Sequence, residues 1–143
     1  MVKTILMSAF LSLIPLASLA SNPVEITISG IEEKDGNILI AVFDESEVWL
    51  DIPKAILLIS RPASEAKDGK LIYQTDKALP EQVSITAYHD LNEDNKLNKN
   101  FIGKPTEPYG FTNNIRHSTR SASFEEANIT IPKDSKVKIE IEK

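Results

Sequence analysis

Gln82-Val83-Ser84-Ile85-Thr86-Ala87-Tyr88-His89 is the stretch from which the fold class is read. In an extended chain, Val83, Ile85, Ala87 and His89 share one face while Ser84, Thr86 and Tyr88 share the other. A helix would distribute these residues around its circumference, whereas a strand sorts them. Pro80 precedes the run and a long polar segment follows it, so the strand at 82–89 has defined ends.

The same period recurs on both sides. Upstream, Val24, Ile26 and Ile28 alternate with Glu25, Thr27 and Ser29, which predicts a strand at 24–29. The Asp35-Gly36 pair suits a tight hairpin. It leads into residues 38–43, whose nearly continuous apolar character places that strand toward the centre of a sheet. Asp44-Glu45-Ser46-Glu47 breaks it. Val48-Trp49-Leu50 then reads as a short helical turn or looped excursion that lays the indole on the core edge, with a ligand pocket as the alternative for Trp49. Residues 55–59 and 70–74 are further strands, punctuated by Arg61-Pro62 and Asp68-Gly69.

Downstream, Ser123 and Glu126 have capping-box spacing around a single turn at 124–127. Ile129 and Ile131, then Val137, Ile139 and Ile141, alternate with polar residues across Pro132-Lys133-Asp134-Ser135, as two strands with a tight connection. About seven strands with no long amphipathic helix predict an all-β, single-domain antiparallel β-sandwich.

The N-terminus reads differently. Lys3, the apolar run 5–16 and Ser18-Leu19-Ala20 have the order of a signal peptide, with cleavage expected after Ala20. The run is shorter than the roughly 20 residues that span a bilayer. The expectation is a mature β-sandwich at 21–143, periplasmic or secreted, with no transmembrane segment after cleavage. The chain has no cysteine, so no disulfide forms and no lipid is attached at a cysteine; the core alone must hold the domain. Sixteen basic against twenty-one acidic residues is the wrong sign for nucleic-acid backbone binding. The basic residues come singly along the chain, which offers no support for an electrostatic membrane-surface role.

The long polar segment from His89 to Asn114 carries the candidate chemistry. Asp90, Asn92, Asp94 and Asn98 stand at relative positions one, three, five and nine, and the Lys96 carbonyl at position seven, as in a calcium loop. Position six is Asn95 instead of glycine, and position twelve is Phe101 instead of a bidentate glutamate. Glu107, or a carboxylate from 44–47, would have to complete the set. Such a site belongs to the weak extracellular class, with a dissociation constant on the order of 10⁻⁴ to 10⁻³ M. Asx turns, in which Asp and Asn side chains bond their own backbone, are the competing reading.

His89 and His117 lack a third ligand at zinc spacing and read as hydrogen-bonded structural histidines. Glu107 with Asp90 would suit a carboxylate-dependent hydrolase, the alternative to a non-catalytic module. Residues 102–111 contain two prolines and two glycines and cannot form a central strand. They read as an ordered loop pinned by Phe101, Tyr109 and Phe111, with Tyr109, Phe111, Asn113 and Asn114 as a candidate binding surface. The function expected from these residues is an exported, non-catalytic binding or accessory module of the cell envelope. Its loop at 89–114 would be ordered by calcium, and its partner would be an envelope protein, a peptide or a polysaccharide.

Three segments together resemble a known bacterial family. They are His89-Asp90-Leu91-Asn92-Glu93-Asp94-Asn95-Lys96-Leu97-Asn98, then Gly103-Lys104-Pro105-Thr106-Glu107-Pro108-Tyr109-Gly110-Phe111-Thr112-Asn113-Asn114, then Ser123-Phe124-Glu125-Glu126-Ala127. On these the chain resembles the secreted domain-of-unknown-function family 2141. Asn98 departs from the aspartate usual there, and 116–122 lacks the family's Gly-Pro. The resemblance implies an exported β-sandwich of prealbumin or immunoglobulin-like kind and no established activity.

Overall fold

The computed structural model describes residues 23–143; the leader expected at 1–20 and its cleavage after Ala20 lie outside them. The described residues form eight strands: β1 (Glu25–Ser29), β2 (Asn37–Phe43), β3 (Leu57–Pro62), β4 (Leu71–Gln74), β5 (Gln82–Asp90), β6 (Tyr109–Phe111), β7 (Asn128–Thr130) and β8 (Lys136–Glu140). A one-turn helix, α1 (Phe124–Ala127), precedes β7. The strands make two sheets. One has the order β4-β1-β8, with β1 antiparallel to β4 and parallel to β8. The other has the order β3-β2-β5-β6, and β7 also pairs with β5 beside β6. The chain is an all-β sandwich.

Seven of these strands overlap the runs expected as strands, although β3 begins two residues late and continues through Arg61-Pro62, where its end was expected. The eighth, β6, falls inside the segment read as loop: it is three residues long and occupies a sheet margin, where Pro108 interrupts no central ladder. The hairpin expected of β1 with β2 does not exist, and the tight connection from β7 to β8 is no hairpin. β1 and β2 belong to different sheets, as do β7 and β8, so the turns at 30–36 and 131–135 carry the chain from one sheet to the other. Gly36 is still required: its φ is +73°, and a Cβ there would stand 2.3 Å from the Asp90 carbonyl oxygen.

The core between the sheets is built from the expected faces. Val24, Ile26 and Ile28 meet Ile38, Ile40, Val42, Val83 and Ile85, and Val137 and Ile139 close it. A second apolar cluster lies on the outer face of the larger sheet. There Leu39, Ala41, Phe43, Tyr88, Tyr109 and Phe111 are covered by residues 48–52 and by α1. Trp49 sits in this cover, edge-on to Phe43 at 5.2 Å and to Phe124 at 5.9 Å, and donates Nε1–H to the Ala122 carbonyl at 2.9 Å. This is the core-edge role expected of the excursion. β2 and β5 are therefore buried on both faces, and Ser84 and Thr86 are covered although their side chains are polar. Their hydroxyls donate to the Phe124 and Gly110 carbonyls.

At one corner the two sheets are stitched together. Tyr109 and Glu142 exchange both backbone hydrogen bonds, at 3.0 and 3.1 Å, and Glu140 N–H donates to Asn114 Oδ1 at 3.0 Å. The Arg116 guanidinium lies 4.8 Å from the Tyr109 ring centroid and donates to the Tyr109 carbonyl at 2.8 Å. No helix among the described residues is long and apolar enough to cross a membrane.

Candidate functional site

The segment after β5 starts from a buried carboxylate. Asp90 is the last residue of β5 and is fully buried; its Oδ1 accepts the Asp94 N–H at 3.2 Å and its Oδ2 the Asn95 N–H at 2.8 Å. The chain turns tightly enough for this because Glu93 and Asn95 take left-handed φ values of 59° and 58°. Asn92 Oδ1 accepts a second bond from Asp94 N–H at 3.3 Å, and Asp94 Oδ1 accepts the Lys96 N–H at 2.9 Å. Desolvation raises the Asp94 pKa, but the Lys96 N–H and the Asn98 and Asn92 amides outweigh it and hold the carboxyl below its ordinary value.

Glu107 closes the loop from its far end. It is 6% exposed; Oε1 accepts the Leu91 N–H at 3.0 Å, and Oε2 faces the Asn98 N–H and side-chain amide, both at 3.4 Å. Of the two sources considered for the missing carboxylate, it is Glu107 that reaches the loop, while 44–47 stay exposed elsewhere. Asp90, Asn92, Asp94, Asn98 and Glu107 are thus linked in one hydrogen-bonded group. The Tyr88 hydroxyl is buried without a hydrogen-bond partner; burial first, and then the charges of Asp90, Glu107 and Asp94, push its pKa up.

For calcium, the donor types fit, and the loop spends their oxygens on its own backbone. Asp90 and Asp94 use carboxylate oxygens on backbone N–H groups, as does Glu107. Among the described residues no three of His, Cys, Asp and Glu converge as a metal site. Neither Asp90 nor Glu107 lines the cleft at 112–114 and 128–138 or the one at 50–53 and 94–99. The histidines go to separate partners: His89 Nε2 lies 2.7 Å from the Asp35 carbonyl oxygen, and His117 Nε2 lies 2.9 Å from Glu126 Oε1.

The binding-surface assignment needs correction at two positions. Tyr109 and Phe111 are each 1% exposed, because β6 turns both rings into the second core. They pin the segment as expected but present nothing to a partner. Asn113 and Asn114 are exposed and line a cleft of about 560 Å³ with Lys136 and Lys138. Their side chains are also clips: Asn113 Nδ2 donates to the Glu126 and Asn128 carbonyls at 3.0 and 3.1 Å, and Asn114 Oδ1 receives β8. Thr112, which the sequence reading passed over, is buried just before them and bonds Ile85 and Ala127.

Phe101 is the larger correction. It pins nothing: its exposure is 100%, and Ile102 beside it is 58% exposed. They crown a short turn in which Lys99 bridges Pro105, Asn100 N–H donates to Lys104 O at 2.8 Å, and Gly103 N–H returns to Asn100 O at 3.0 Å. Asn100 Oδ1 accepts from Ile102 N–H at 3.1 Å and Lys104 N–H at 3.0 Å, which fixes the turn in the shape that displays the ring.

No curated protein and no solved structure matches the chain. Residues 26–140, which include every strand pairing of both sheets but the first residue of β1, match the model of an uncharacterised protein family conserved in bacteria, DUF2141, and the chain belongs to that family.

Proposed function

We propose that this chain is exported and acts without catalysis, as a β-sandwich module of the cell envelope whose loop at 89–114 is its working surface. The observation that carries this reading is the use made of Asp90 and Glu107. Both are buried, and both direct their oxygens at backbone N–H groups of the loop. A general acid or nucleophile must face a substrate, whereas a carboxylate bonded to two or three N–H groups organises backbone.

Asp90→Ala should lower the thermal midpoint and speed amide exchange at Asp94 and Asn95, as expected when N–H groups lose their acceptor. The reading fails if the purified protein hydrolyses an envelope glycan and Glu107→Gln abolishes that turnover while leaving the midpoint unchanged. Export itself is checked by sequencing the N-terminus of the protein outside the cytoplasm, which should begin at Ser21.

Calcium ordering of the same loop is a second reading, favoured by a separate observation. Asp90 and Glu107 are buried, and neither has an ion-pair partner among the described residues. Buried carboxylates are ordinarily paired or bound to a metal. A calcium series to millimolar should raise the midpoint relative to EDTA, and Asp90→Ala should not respond. A flat response removes calcium and leaves the self-bonded loop intact.

A further inference from the structure

We propose that the turn at 99–105 is a contact for anionic lipid surfaces, with Phe101 and Ile102 entering the headgroup region and Lys99 and Lys104 meeting phosphates. The proposal rests on the reading of 89–114 as the working surface and names the chemistry of its partner.

Four observations lead there. Phe101 is 100% exposed on a turn held by Asn100, so the ring is displayed by construction. The tip is convex, and around Gly103 no atom lies within 4 Å of where a Cβ would be. Two protruding side chains fall far short of the roughly 800 Å² per partner of a standard protein interface, whereas a lipid headgroup layer takes up a small apolar wedge when basic side chains supply a second attraction. The local charge opposes that of the chain. From Asn95 to Thr106 there are three lysines and no acidic residue, in a protein of formal net charge −5. The lysines come singly in sequence, yet the turn sets Lys99 and Lys104 on its two arms beside the exposed pair. Lysine stems that lie along apolar surface with their ammonium groups at phosphate level suit an anionic interface.

The test uses the absence of cysteine. A single Ile102→Cys in the purified chain, as the cell produces it, carries an environment-sensitive fluorophore at the tip. Vesicles of phosphatidylethanolamine and phosphatidylglycerol, 3:1 by design, should shift its emission to the blue, and lipids brominated near the headgroup should quench it. Binding of the unlabelled protein to these vesicles should fall at least tenfold with Phe101→Ser and Ile102→Ser together. It should fall about fivefold for each of Lys99→Gln and Lys104→Gln, and weaken in 0.5 M salt. Neither change touches the buried loop carboxylates, so the thermal midpoint should hold and exclude misfolding.

If the double variant binds vesicles as the parent does, or the label stays in water on bound vesicles, the proposal is overturned. A benzophenone on the same cysteine, illuminated in intact cells, distinguishes the two levels of inference. Crosslinking to a protein, with no vesicle binding, ends the lipid assignment and keeps the loop as a working surface. Neither crosslink nor vesicle binding ends both.

Discussion

Ile85 pairs with Val42 of β2, but on its other side β6 has left β5 and β7 has not yet joined it, and there the Thr112 hydroxyl accepts its N–H at 3.1 Å. The same hydroxyl lies within hydrogen-bond reach of the Ala127 and Ile85 carbonyls, so one buried side chain bridges the gap between two short strands. Thr112→Val keeps the shape and removes the oxygen. With Ile85 N–H then unpaired in a dry place, the expected cost is about 1–3 kcal/mol, read from the urea midpoint at unchanged m value. Thr112→Ser should recover most of it, and a Val variant as stable as the parent would show that the hydroxyl bridges nothing. Nothing in Phe111-Thr112-Asn113 marks Thr112 for this task, because the Ile85 N–H it serves lies far back in the sequence. Ser84 and Thr86 are hidden for a related reason: alternation assigns them a shared face but not its burial, and here each is buried with a carbonyl partner.

Elements governed by local rules were the legible ones. In α1 both halves of the capping box form, with Glu126 N–H donating to Ser123 Oγ at 3.2 Å and Ser123 N–H to Glu126 Oε2 at 2.8 Å. Each bond joins residues three apart, so the Ser123-to-Glu126 spacing was sufficient to find it. Ser123→Ala should cost about 1 kcal/mol. The structure adds what spacing could not show: Arg120 grips both Glu126 oxygens at 2.8 and 2.9 Å, with His117 on Oε1. Arg120 first, then the Ser123 N–H, with His117 after them, hold the Glu126 carboxyl far below its ordinary value. A carboxyl whose pKa is lowered by folding stabilises the fold fully above the unfolded value, about 4.3, and loses that contribution as pH falls further. In midpoint scans below about pH 5, the gap between the parent and Glu126→Gln should close on acidification. A gap independent of pH would mean that the charge of Glu126 is not what holds the turn. The turns at 30–36 and 131–135 were recognised as turns, but the first was read as a hairpin, and both carry the chain between sheets. A glycine or proline signal specifies that the chain bends, while its destination sheet depends on pairings such as β1 with β8, at opposite ends of the domain.

Long-range closure is what makes the two sheets one molecule, and Gly110 is the point at which it can be tested. β6 approaches β8 so closely that a Cβ on Gly110 would lie 2.1 Å from the Glu140 carbonyl oxygen and 2.9 Å from its carbon. Both are backbone atoms, so relief requires moving a strand, and the strand that moves carries the Tyr109–Glu142 hydrogen-bond pair with it. Sequence marks Gly110 as glycine between two aromatic residues, which permits a turn as readily as a close approach; the side of β6 that faces β8 is set only after both sheets assemble. Gly110→Ala should therefore cost at least the roughly 1–3 kcal/mol of an overpacked core position. It should also show a local signature, with the Tyr109 and Glu142 amides losing exchange protection before those of β5 do. Gly103→Ala supplies the contrast. Its φ of +85° strains an alanine by about 1–2 kcal/mol, but no atom stands within 4 Å, so the corner amides should keep their protection. If the two variants lose protection at the same sites, backbone strain explains both and the corner does not join the sheets. If only Gly110→Ala frees Tyr109 and Glu142, the contact of β6 with β8 is what locks the smaller sheet onto the larger, and the pinned base from which the 99–105 turn projects depends on it.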